Sequence, residues 1–118
     1  MNDQVKKGKN IATVAYLTLV GTLIAWSMNQ EERNEFGSFH IRQALGLNLL
    51  FILLGILLSG ISEIALQNDI DILFIVAPFW LFFIVLWGFG FIAALQGNLT
   101  YLPIFGNLFQ KWFKKLIK

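Results

Sequence analysis

The chain has 118 residues, 57% of them hydrophobic and only 14% charged, with a net charge of +2 and a mean hydropathy of +0.67. A soluble domain carries roughly 25% charged residues, and one this short has too little interior to hide so much apolar surface, so the composition excludes a soluble globular domain and points to an integral membrane protein. The absence of cysteine excludes disulfides, thiol nucleophiles and thiolate metal sites.

Lys6, Lys7 and Lys9 lead into residues 10–30, the first of three stretches without a formal charge. A helix rises 1.5 Å per residue, so about 20 residues cross a hydrocarbon layer of about 30 Å. The apolar residues are continuous rather than alternating, which favours helices over barrel strands. A first transmembrane helix is therefore expected over about 11–28. A basic flank and an apolar middle also fit a signal peptide. Ala25-Trp26-Ser27 is a poor small-x-small cleavage site, so the segment is expected to be retained.

Acidic residues Glu31, Glu32 and Glu35 fill the first connection, and residues 43–62 form the second uncharged stretch. A second span is expected over about 41–66, with Ser38 capping a helix that starts at Phe39. His40 and Arg42 stand at its mouth. An arginine costs roughly 2.5–3.5 kcal/mol at mid-membrane and far less near the surface, so Arg42 is expected to snorkel to lipid phosphates. His40 and Gln43 share one helix face below Leu47, while Arg42 points elsewhere, so the three do not clamp one ligand. His40 is the chain's single histidine. It has neither a second imidazole or thiolate with which to hold a metal nor a nucleophile on its own face. The expectation is no catalytic residue, no metal site, no cofactor and no enzyme. His40 is read as a polar residue at a bundle entrance, bonded to a neighbouring helix or a headgroup.

The third uncharged stretch changes character at Gln96-Gly97-Asn98, so a third span is expected over about 72–96, kinked near Pro78. Each expected span carries one pair of small residues four apart, Gly21 with Ala25, Gly55 with Ser59 and Gly90 with Ala94, which allow close helix approach. Asn98-Leu99-Thr100 matches the glycosylation pattern but lies too close to the bilayer for modification. In the tail, Leu108, Phe109, Trp112, Phe113, Leu116 and Ile117 recur at helical spacing, with lysines on the other face. An amphipathic interfacial helix is expected over about 107–118. Lys111, Lys114, Lys115 and Lys118, together with Arg42, would meet anionic headgroups. The lysines flank apolar segments, so the partners expected are membrane lipids, further copies of the chain or other membrane proteins, and no nucleic acid.

The fold class expected is therefore all-α: residues 1–118 as one membrane domain of three transmembrane helices plus the interfacial helix. With three spans, the count of Lys and Arg on each side favours an N-terminus outside and a cytoplasmic C-terminus in the cell inner membrane.

Two segments carry a family resemblance. "FHIRQAL" at residues 39–45 resembles the "F-H/N-x-x-Q-A" segment that opens a membrane helix in one family. "ALQGNLTYLPIFG" at residues 94–106 resembles that family's ending, a last span followed by Gly, a short polar step and "Y/R-x-P-x-x-G". The family is that of the twenty-kilodalton inner-envelope subunit of the chloroplast protein import translocon, with its small bacterial relatives, and the resemblance covers about 11–113. It implies a helical membrane bundle and a part in moving polypeptides across a membrane. The residues it carries over are Phe39, His40, Gln43, Ala44, Tyr101, Pro103 and Gly106, all in structural roles. The plant protein has four spans, and this chain has no room for the first, so any polypeptide pore would need several copies or partners. The function expected is a small non-enzymatic subunit or scaffold in protein transport. The alternative is a lipid-organising or stress-related membrane protein acting through its basic interfacial helix.

Overall fold

The structure, a computed structural model, describes residues 3–118. These form five helices and no strand: α1 (Asp3–Ala15), α2 (Leu19–Glu32), α3 (Glu35–Gln67), α4 (Leu73–Gln96) and α5 (Gly106–Phe113).

Two helices, α3 and α4, are long and apolar enough to cross a membrane. They form an antiparallel hairpin closed by the short turn 68–72. The expected third span over 72–96 is α4 almost to the residue. It ends at Gly97, whose φ of 75° is the left-handed conformation that glycine adopts without steric penalty. The expected second span over 41–66 lies inside α3, which begins earlier. Asn34, not Ser38, is the N-cap, its side-chain oxygen accepting the Gly37 N–H at 2.9 Å. Ser38 lies within the first turns of α3 and is buried.

The expected first span over 11–28 is not one continuous helix. It is broken at residues 16–18 into α1 and α2, which fold against each other. Thr18 caps α2 by accepting the Gly21 N–H at 3.0 Å. The Thr22 hydroxyl donates back across the bend to the Ala15 carbonyl at 2.7 Å. α2 has 14 residues, about 21 Å of helix, too short for a layer of about 30 Å. Arg33, in the left-handed region at φ 48°, ends α2. The buried Asn29 then accepts the Asn34 N–H at 2.9 Å and turns the chain into α3.

The result is a broad base carrying a narrow hairpin, 56 × 24 × 22 Å overall. In the base, α1, α2 and α5 surround the first third of α3, where Phe36, Ser38, His40, Ile41 and Gln43 are fully buried. Where the base meets water, a fully buried Phe or Ile contributes about 1.5–3 kcal/mol. Toward the turn end α4 is the helix that lies along α3, and Leu53, Ile56, Leu57 and Ile64 are exposed. Lipid tails are as apolar as leucine, so side-chain packing rather than water exclusion holds the helices there. Phe51 meets Phe83 edge-on at 5.0 Å, and Phe79 meets Phe83 at 5.1 Å.

Two of the small-residue pairs serve packing within the chain. Gly21 and Ala25 are buried in α2, and Gly90 and Ala94 in α4. A Cβ on Gly90 would stand 2.6 Å from the Tyr16 ring. The third pair does not: nothing lies within 4 Å of a Cβ on Gly55.

Candidate functional site

The polar side chains of the base converge where α3, the α1–α2 bend and the strand of chain after α4 meet. α3 supplies His40 and Gln43 from one face. The bend supplies Tyr16, held by an indole N–H donated from Trp87 to its carbonyl. Residues 98–102 supply backbone groups. His40 Nε2 lies 2.9 Å from the Asn98 carbonyl oxygen, which only accepts, so Nε2 carries the proton. Nδ1 is then the acceptor and takes the Tyr16 hydroxyl proton at 2.8 Å. Gln43 donates from Nε2 to the Tyr16 oxygen at 3.0 Å and to the Thr100 carbonyl at 3.2 Å, and its Oε1 accepts the Leu102 N–H at 2.8 Å. Phe36, Phe39 and Tyr16 pack edge-on around the imidazole.

This constellation is closed. His40 and Gln43 are fully buried, and both ring nitrogens of His40 are occupied within the chain. Among the described residues no buried side-chain nitrogen or oxygen lacks a partner. No group of three His, Cys, Asp or Glu is placed to hold a metal ion among them either. The network fastens α1, α3 and the chain after α4 together, and no polar atom in it is left to meet a substrate.

The structure brings most of the residues singled out by sequence into this region. Phe39 packs against both His40 and Tyr101, its ring 5.1 Å from the Tyr101 ring. Ala44 is buried in the core beside them. Gly106 is buried where a Cβ would stand 2.8 Å from the Tyr101 Cβ and 3.0 Å from Gln43 Oε1. Pro103 is exposed on the turn before α5. Tyr16, which sits at the centre of the network, is the residue the sequence reading missed. Its partners lie 24 and 27 positions away, and only the broken first helix brings it to them.

Arg42 bonds within the chain, donating from Nε to the Ile117 carbonyl at 2.7 Å and from Nη1 to Gln110 at 3.3 Å. Gln110 in turn donates to the Phe39 carbonyl at 2.7 Å. α5 is thereby laid across α3, with Phe109 buried so closely on Gly46 that no side chain fits there. Lys111, Lys114, Lys115 and Lys118 remain exposed.

Basic residues are confined to one end of the molecule, where Asp3, Glu31, Glu32 and Glu35 accompany them. All nine Lys and Arg belong to the base, in α1, at Arg33 and Arg42, and in and after α5. At the far end, the top of α3 and its turn carry Glu63, Asp69 and Asp71 and no basic residue. All three are exposed. The turn is ordered by the Leu73 N–H donated to Asp71 Oδ1 at 3.0 Å and by the left-handed Asp69, at φ 57°.

The family model of the magnetosome magnetite crystal formation proteins matches residues 7–109. No curated protein and no solved structure matches the chain. The family match overturns the resemblance to the chloroplast import component. With it fall the expected part in protein transport and the alternative lipid-organising or stress role. The packing of Phe39, His40, Gln43, Tyr101 and Gly106 stands on its own geometry.

Proposed function

The chain belongs to the magnetosome magnetite crystal formation family (MamF/MmsF), and from that premise we propose that it is a two-span, non-enzymatic protein of the magnetosome membrane whose acidic turn faces the growing mineral. The observation that carries this reading is the partition of charge along the hairpin. Positive residues flanking spans stay on the cytoplasmic side, and here every Lys and Arg is in the base. The base is then cytoplasmic, with both ends of the chain on that side. The turn bearing Glu63, Asp69 and Asp71 is inside the organelle.

Carboxylates are hard oxygen ligands suited to iron cations. The acids of the turn do not converge on one point, as a chelating site would require. They offer separated single ligands, which match the cations of an extended oxide face better than one dissolved ion. The base, with its saturated network, serves as the anchor that sets the height and direction of the turn.

The test is the combined substitution Glu63→Gln, Asp69→Asn and Asp71→Asn in cells that make magnetite, with crystal size and outline measured by electron microscopy. Asn tolerates the left-handed backbone at position 69, so the fold is retained. The expected outcome is altered crystal size or outline at an unchanged amount of membrane-bound protein. Crystals identical to those of the unaltered strain would refute the reading.

A further inference from the structure

We propose that the protein is a wedge in the bilayer that selects a convex membrane face, with its base in the convex leaflet. The argument starts from depth. Arg42 and Glu63 bracket residues 43–62 of α3, an uncharged stretch whose twenty residues give about 30 Å, one hydrocarbon thickness. The middle of the bilayer therefore lies near Ile52 and Leu53.

Elements that reach the base-side half can be placed by their contacts with α3. The α1–α2 bend enters that half: Leu17 lines a cavity with Leu47, Phe51, Trp80 and Trp87, and Asn48 donates to the Thr22 hydroxyl at 2.7 Å. Around the bend Leu17, Leu19, Val20, Leu23 and Ile24 are exposed. Five bulky apolar side chains facing outward at that depth are facing lipid. On the other flank, the turn before α5 enters the same half. Phe105 lies 6.1 Å from Phe82, Phe109 rests on Gly46, and Ile104 is 79% exposed. The base-side leaflet is thus occupied by α3, α4, the α1–α2 bend and the start of α5. In the opposite leaflet, from Leu53 to Glu63, only α3 and α4 are present.

Two helices side by side cover about 10 by 20 Å, whereas the molecule's cross-section reaches 24 × 22 Å, and the elements beyond α3 and α4 all lie on the base side. The protein therefore takes up more area in the base-side leaflet than in the other. A flat bilayer must take up that difference by packing lipid unevenly. In a bilayer that curves away from the base, the outer leaflet is already expanded relative to the inner, and the mismatch is relieved. The surface recognised is therefore the convex, lipid-filled leaflet of a small vesicle, and the recognising elements are the apolar rim of the α1–α2 bend and the turn leading into α5.

The test uses the full chain reconstituted into vesicles of phosphatidylcholine and phosphatidylglycerol, which carry no primary amine, from one lipid stock, prepared as small sonicated and as large extruded populations. Every lysine lies in the base, so a membrane-impermeant amine reagent reads the fraction of molecules with the base outward. The expected result is an outward-to-inward ratio severalfold higher in the small vesicles. The same ratio at both sizes would overturn the proposal. A variant with Leu19→Ser, Leu23→Ser and Ile24→Ser, all on the exposed rim, should lose most of that bias while keeping its helical circular dichroism. Retention of the full bias by the folded variant would also overturn it. If the variant does not fold, the size comparison with the unaltered chain still decides.

Discussion

A histidine enclosed by aromatic rings, with both nitrogens bonded, acts as a rivet. Replacing His40 by Ala would leave the buried Tyr16 hydroxyl proton without an acceptor, and an unsatisfied buried polar group costs about 1–3 kcal/mol. His40→Ala, which also empties the space of the ring, should therefore lower stability by about 1–3 kcal/mol, and Tyr16→Phe should lower it less, since Gln43 keeps its bonds to Thr100 and Leu102. Thermal unfolding in detergent micelles followed by circular dichroism checks both, and a His40→Ala protein as stable as the parent would remove the network from the account. The shared face of His40 and Gln43 was legible from their spacing, because helical periodicity is local. Tyr16 was not, because nothing near it in sequence indicates which distant residue it meets. The Arg42 bond to the Ile117 carbonyl was not legible for the same reason, its partner lying 75 positions away.

At the scale of elements, hydropathy located α4 and most of α3 and failed on the first segment. Length and polarity alone do not distinguish one straight span from two short helices folded back on each other, because both hide their backbone bonds internally. The signal that was present is chemical. Thr18, Thr22 and Asn29 are spaced along a run that a lipid-exposed helix would fill with apolar residues, and each side chain bonds to backbone in or around α2. The α1–α2 bend predicts a depth pattern. Spin labels at positions 4 and 30 should both report the aqueous face of the base, and a label at position 20 should report hydrocarbon. A continuous helix would instead send positions 4 and 30 to opposite sides of the bilayer. Thr18→Ala should destabilise the bend by about 1 kcal/mol through loss of the cap.

For the molecule as a whole, the decisive change is from three long apolar helices to two. With three, the lysines at the two ends of the sequence fall on opposite sides and the orientation is in conflict. With two, the conflict disappears, because the base gathers every basic residue. A protease site inserted between Asp69 and Ile70 should stay protected in sealed, isolated organelles, while an impermeant amine reagent reaches the lysines. Cleavage at the inserted site together with protection of the lysines would invert the orientation. The charge partition could be read from the sequence only after the number of spans was known.

The Tyr16 anchorage also sets an order of events during synthesis. Chains are made from the N-terminus, so α1 and α2 emerge first, yet the groups that fix their bend come later. His40 and Gln43 follow some twenty-five residues on, Trp87 and Gly90 some seventy, and the bonded carbonyls of Asn98 and Thr100 later still. The first-made part of the chain is therefore the last to be locked. α3 supplies both partners of the Tyr16 hydroxyl, but until α4 has packed back on α3 the Tyr16 carbonyl lacks its Trp87 donor and the ring lacks its seat on Gly90, so the base closes only after the hairpin has formed.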